Sequence, residues 1–188
     1  MALRIQRKKD NRVVKCVLHR VADIPGGVTV KVADLGGNAL FEGTPLGKGA
    51  NGVYQVVKTA QIVTAAAADA TTYDVAKGHH FKVGDRFATA ACNGQVITAI
   101  DKSDSAKDVI TVGTTLGAAI TAGTCAFESS GANKTLKYAP VGIAGQNQDV
   151  ESGDNLFTDI WVIGVVRESN APIVNDSIKS ALKGILYV

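Results

Sequence analysis

The sequence predicts a mainly β protein: a small β-barrel or sandwich module inserted into a discontinuous base with a short C-terminal helix. Three observations predict it. The apolar content comes from Ala, Val and Ile rather than Leu, aromatic residues make up only 5% and glycine accounts for 20 of the 188 residues. That composition suits short strands and many turns better than a helix bundle. β-Branched runs recur at roughly ten-residue spacing with glycine turns between them, the pattern of a barrel or sandwich. Breaker-rich borders around 44–52 and 129–134 set one run of strands apart from both flanks. Residues 53–130 are therefore expected to form the module, and residues 1–52 and 131–188 the base.

Each element has a local reason. Residues 1–22 form a basic arm whose Val13, Val14, Val17 and Leu18 can pack once it is docked. Val28 to Val32 alternates as Val-Thr-Val-Lys-Val and predicts a strand. The rest of 24–52 is expected to be extended or looped, because Pro25-Gly26-Gly27, Gly36-Gly37 and Gly43-Thr44-Pro45 break any regular run. Val53 to Val63 reads as one long β-branched strand with room for a single break. Ala65 to Ala68 suits one helical turn, and Thr72 to Val75 a second strand. Arg86 to Ala91 and Gln95 to Asp101 flank Asn93-Gly94, a strong hairpin signal. Val109 to Val112 follows a polar turn over 101–108, and Thr124 to Glu128 closes the module. Phe81 to Phe87 and Ile120 to Phe127 both reach a glycine three residues after an apolar one, as two similar corners of one barrel would. Gly145 to Asn155 is a polar loop, and Asp159 to Arg167 is the most apolar strand in the chain. Pro172 to Ile185 suits a short helix capped by Asn175 or Asp176, with Ile178, Leu182 and Ile185 on one face. Leu186 to Val188 ends the chain as a strand.

Charge is distributed unevenly. The first 20 residues hold seven basic side chains against Asp10 alone, a net +6, and the remainder carries −3. Close-packed like charges keep such an arm extended until it meets an opposite charge. Arg4, Arg7, Lys8, Lys9 and Arg12 are thus candidate contacts to an acidic partner surface, with Val13, Val14, Val17 and Leu18 as the apolar part. Trp161 is the alternative anchor, in the C-terminal segment. The body lacks a basic stripe with interleaved aromatics, so no specific nucleic-acid partner is expected. The longest strongly apolar run, Ile160 to Val166, is far short of the roughly 20 residues of a membrane span. No secretory leader is read in the start MALRIQRKKDNR. Cys16, Cys92 and Cys125 are odd in number and widely spaced, which reads as small apolar residues of a protein made in a reducing cytoplasm.

The motifs argue against chemistry. Gly47-Lys48-Gly49-Ala50-Asn51-Gly52 fits G-x-G-x-x-G, but it precedes a strand instead of opening a helix, so it reads as a flexible turn between domains. Kinase partner motifs are missing from the sequence. His79-His80 reads as a surface turn, because adjacent strand residues point to opposite faces and zinc spacing is lacking. Asp101, Asp104 and Asp108 are interrupted by Lys102 and Lys107 and read as a solvated hairpin loop rather than a calcium loop. No nucleophile elbow, H-E-x-x-H or Ser-His-Asp order occurs. The expectation is a non-enzyme with no cofactor and no metal.

Tyr73-Asp-Val-Ala-Lys-Gly-His-His-Phe-Lys-Val-Gly-Asp85, Gln95-Val-Ile-Thr-Ala-Ile-Asp101 and Asp108-Val-Ile-Thr-Val-Gly-Thr-Thr-Leu116 resemble the β module of tailed-phage head-fibre and capsid auxiliary (decoration) proteins. The ending Pro172 to Leu186 resembles their terminal helix–strand segment. The likeness spans about two thirds of the chain. It implies a bacteriophage virion structural protein on the capsid exterior, often a trimer, whose partners are the major capsid protein or neighbouring virion proteins. The chain departs from long fibres in lacking a repetitive shaft and a receptor-binding tip, which favours a compact decoration protein or a head-fibre base. The alternatives are a carbohydrate- or receptor-binding β module, with Tyr54, Tyr73, Phe81, Phe87 and Phe127 as its aromatics, and an assembly factor absent from the mature particle.

Overall fold

The computed structural model describes residues 15–150 and 155–188. The chain is mainly β, with curled sheets forming a half-barrel and one short helix near the C-terminus. The base is an eight-stranded sheet of β1 (Val17–Asp23), β2 (Val28–Val30), β4 (Pro45–Lys48), β5 (Tyr54–Val56), β12 (Pro140–Ala144), β14 (Leu156–Thr158), β15 (Ile160–Val166) and β16 (Ile185–Tyr187). Their order is β1-β15-β12-β4-β5-β2-β14, with β16 parallel to the far end of β15. A two-stranded ladder of β3 (Ala39–Leu40) and β13 (Gln148–Asp149) stands beside it. The second sheet holds β6 (Thr59–Gln61), β7 (Thr72–Ala76), β8 (Arg86–Thr89), β9 (Gln95–Asp101), β10 (Lys107–Val112) and β11 (Cys125–Glu128), in the order β6-β11-β8-β9-β10-β7.

The long strand expected over Val53 to Val63 is two strands in two sheets. β5 pairs with β4 and β2, whereas β6 pairs with β11. The change falls at Val57-Lys58, so the sheets divide a few residues after the glycine border. Each sheet has its own apolar cluster. Ile62, Tyr73, Val75, Phe81, Phe87, Ile97 and Ile110 pack together inside the second sheet. Ile143, Val166, Ile178, Leu182 and Ile185 form one base cluster, and Val28, Val30, Leu40, Leu46, Val56 and Ile160 form another.

Two local expectations are corrected. Pro45–Lys48 takes the extended alternative, as a strand that β12 and β5 both pair with. Gly47 to Gly52 is therefore no flexible turn between domains: it ends one strand and turns the β4–β5 hairpin inside the base. Asn51 (φ 56°) and Gly52 (φ 76°) supply the left-handed backbone that the tight turn needs. Ala65 to Ala68 forms no helical turn, since Ala66 bridges to Ile120.

The helix α1 (Asp176–Ala181) is shorter than the run Pro172 to Ile185. The chain leaves it at Leu182 so that Ile185 can pair beside Gly164. Gly184 passes so close to the Val162 carbonyl that a Cβ has no room. Asn175 is the N-cap, its Oδ1 accepting from the Ile178 N–H at 2.9 Å. Asn175→Ala should cost about 1 kcal/mol, measured as a shift of the denaturation midpoint at unchanged m-value.

Candidate functional site

Two places in the fold carry features that packing alone does not explain: an open stretch of the base sheet, and the seam between the sheets.

The first follows from a bulge. Ala22 faces Ile163 and Asp23 faces Trp161, so Val162 is an extra residue in β15. A bulge reverses the alternation of side chains. Trp161 consequently shares a face with Ile143, and so do Gly164 and Val166 with Val17 and Ile185. The helix residues Ile178 and Leu182 join that cluster. Ile160, Ile163 and Val165 point to the other face, where Ile160 is covered by Leu46 and Val56. Beyond Ile160 that cover ends. Ile163 is 45% exposed and Leu186, opposite Val165, is 61% exposed. Leu18 and Val21 lie at irregularities of β1 and are 47% and 59% exposed. The result is a set of exposed apolar side chains on three adjacent strands, β1, β15 and β16, at one end of the base.

Of the residues singled out from sequence, Arg4, Arg7, Lys8, Lys9, Arg12, Val13 and Val14 lie outside the described residues. Val17 is buried against Val166 and holds β1 to the sheet, so it is not a surface contact. Leu18 is exposed. Trp161 is half-buried, and the Arg20 guanidinium lies 5.5 Å from its ring centroid. Arg20 also pairs with the buried Glu42 at 2.7 Å. Ile163, Val165 and Leu186 were not foreseen: the bulge that turns the first two outward, and the parallel pairing that sets Leu186 beside Val165, leave no mark in the sequence.

The seam is built from charge. Lys58, 3% exposed, sits where the chain crosses between sheets. Its Nζ lies 2.6 Å from Asp85 Oδ2 and 3.8 Å from Glu128 Oε2. Lys137 reaches Glu128 Oε1 at 2.6 Å where the chain crosses back. Burial raises the Glu128 carboxyl above its ordinary range, opposed by Lys137 and Lys58.

A second contact joins the sheets through residues 33–38. The Gly36 N–H donates to the His80 carbonyl at 3.0 Å, and Gly36 lies too close to Phe81 for a Cβ. Lys102 Nζ donates to the Gly36 carbonyl at 2.7 Å and Lys82 Nζ to the Ala33 carbonyl at 2.8 Å. His79 and His80 are both buried here, correcting the surface-turn reading. The loop from the base covers a turn that would otherwise be open to water. Asp108 is likewise buried in β10, not solvated in a hairpin loop; it pairs with Lys77. Its Oδ2 lies 3.1 Å from His79 Nε2, out of line with the ring N–H. Desolvation pushes both imidazoles down to about 4, which leaves them neutral at pH 7.

Two hollows meet at Phe41, Lys77, Gly78 and His79. One is a cleft of about 710 Å³ between the sheets, which also reaches Gln61, Glu168 and Pro172; the other, of about 340 Å³, reaches Asn38, Lys102 and Asp108. The aromatics weighed for sugar stacking are elsewhere and mostly inaccessible. Tyr73, Phe81, Phe87 and Phe127 are at most 2% exposed and Tyr54 is half-buried. Among the described residues no cluster of three His, Cys, Asp or Glu is placed to hold a metal ion. Burial pushes the Cys125 thiol up to about 12, which makes it a poor nucleophile. No helix among the described residues is long and apolar enough to cross a membrane.

No protein-family model, curated protein or solved structure matches the chain.

Proposed function

We propose that this chain is a non-enzymatic virion structural protein that docks on the outer capsid surface through its base. It acts as a decoration protein or a head-fibre base, as a homo-oligomer with a trimer favoured, and its second sheet projects outward. The observation that carries this reading is the uncovered apolar strip of Leu18, Val21, Ile163 and Leu186 at the edge of the base. Large exposed apolar patches mark interaction surfaces more often than scattered single residues do. The strip adjoins Lys15 and follows a segment with a net charge of +6 over the first 20 residues. An arm and a strip joined in this way offer one partner both charge attraction and apolar burial. The inaccessibility of four of the five candidate aromatics weighs against the carbohydrate-binding alternative.

The test is co-sedimentation of the full chain with capsids. Full-length protein should pellet with particles, and rising salt should loosen it. Deleting residues 2–12 should weaken binding while leaving the fold unchanged. Ile163→Asp/Leu186→Asp should weaken it by about tenfold or more, since burying an uncompensated carboxylate offsets the burial gain. Full binding by the double variant would reject the strip as the docking face. Mass spectrometry of purified particles separates a resident virion protein from an assembly factor that leaves.

A further inference from the structure

Adjacent buried histidines at a contact between two packing units call for an explanation beyond stability. Buried polar atoms are nearly always hydrogen-bonded. Yet His80 is 4% exposed, and neither of its ring nitrogens has a hydrogen-bond partner. Its ring instead sits beside Gly37 of the base loop, and its carbonyl holds the Gly36 N–H. The group therefore lies in the contact itself.

The charges around the pair differ sharply. His79 faces Asp108, so a proton on its ring would find a counter-charge at 3.1 Å. His80 has no such partner. Lys58 from the chain crossing, Lys102 from the end of β9 and His79 all disfavour its charged form. The acids nearby are already committed. Asp85 is held by Lys58 and Asp108 by Lys77, while Asp34, in the base loop, pairs with Lys31 at 2.8 Å. Lys82 donates to the Ala33 carbonyl of the same loop. A protonated His80 could be relieved only by moving the 33–38 loop away and admitting water.

We propose that His80 is the trigger of an acid-opened latch, in which its protonation releases the 33–38 loop of the base from the second sheet. The 340 Å³ hollow beside Lys102 and Asp108 gives water a route to the contact. Release frees this attachment between the sheets and leaves the Lys58–Asp85–Glu128–Lys137 cluster as the pivot. The direction follows from linkage. In the closed state the His80 proton affinity is depressed to about 4, against 6.5 for a solvated imidazole. The open state thus binds more protons between these values, so the closed state weakens as pH falls below about 6.5 and the effect saturates near 4. Between pH 7 and pH 5 the opening equilibrium should rise by about 20-fold for this one group.

Amide exchange of Gly36 in the full chain, read by NMR and corrected for intrinsic rates, tests it. Protection should fall by about 20-fold from pH 7 to pH 5, while the Val188 N–H, bonded to Val166 in the base, keeps its protection. His80→Gln should abolish the pH dependence at Gly36. If that variant does not fold, the wild-type imidazole titration decides instead. Its midpoint should move from below 5 toward 6.5 when Gly36→Ala holds the loop open. Unchanged Gly36 protection, an equal fall at Val188, the same fall in His80→Gln, or a His80 midpoint near 6.5 in the closed wild type would each overturn the latch.

Discussion

Lys58→Met should destabilise the protein by about 3–5 kcal/mol, the usual cost of removing one partner from a buried ion pair. The side chain is 3% exposed, and its ammonium lies 2.6 Å from Asp85 and 3.8 Å from Glu128. Methionine keeps most of the apolar stem and removes the charge and its donors. Two carboxylates then share Lys137 as the remaining cation of the cluster. Glu128, already raised by burial, should rise further and take up a proton. A glutamate raised in the folded state binds more protons folded than unfolded, so folding gains as pH falls. The deficit should therefore shrink as pH approaches the ordinary glutamate range of about 4.5. Lys58→Met/Glu128→Gln should recover part of the loss at pH 7. Urea denaturation of the wild type and both variants at pH 7 and pH 4.5 measures these differences. A loss below about 1 kcal/mol at pH 7 would mean that the cluster is solvated, as surface pairs are.

This cluster also shows where sequence reading stops. The strands themselves were legible. Val28 to Val30, Thr72 to Ala76, Gln95 to Asp101 and Ile160 to Val166 fall where alternation, β-branched runs and the Asn93-Gly94 hairpin signal place them. The reason is local: a pleated, half-buried surface requires that alternation whatever the neighbours are. The Asn175 cap was legible for the same reason, since its hydrogen bond closes within three residues. The change of sheet at Val57-Lys58 was not. Tyr54 to Gln61 has no glycine or proline to mark a break, and only pairing with β4 on one side and β11 on the other divides it.

The sites were less legible still. Lys58, Asp85, Glu128 and Lys137 are spread over 80 residues and meet only through tertiary structure. Each alone reads as an ordinary surface charge. His79-His80 was visible as a pair, but its burial depends on residues 33–38, some 40 positions earlier. Glycine-rich loops read as breakers, and here the missing side chain at Gly36 permits the close contact. The outward turn of Ile163 depends on one bulge at Val162, which also turns Trp161 inward. A hydrophobic run such as Ile160 to Val166 does not encode which of its faces will be covered.

Phe87→Ala should remove about 3–5 kcal/mol, mostly from the second sheet. Phe87 is fully buried, with its ring centroid 5.5 Å from that of Tyr73 and 5.4 Å from that of Phe81, the latter edge-on. Deleting the ring opens a cavity beside Tyr73 and Phe81, on separate segments. Tyr73 has little freedom to fill it, because its hydroxyl donates to the Ala70 carbonyl at 2.7 Å. The surrounding cluster draws only on residues 60–126, whereas the two base clusters draw on residues outside that range. The loss should therefore be confined. In hydrogen exchange, β7 to β11 should lose protection while β12, β15 and β16 keep theirs, and thermal unfolding should split into two steps. A single cooperative transition shifted as a whole would show instead that the Lys58 cluster and the 33–38 contact bind the two sheets into one folding unit.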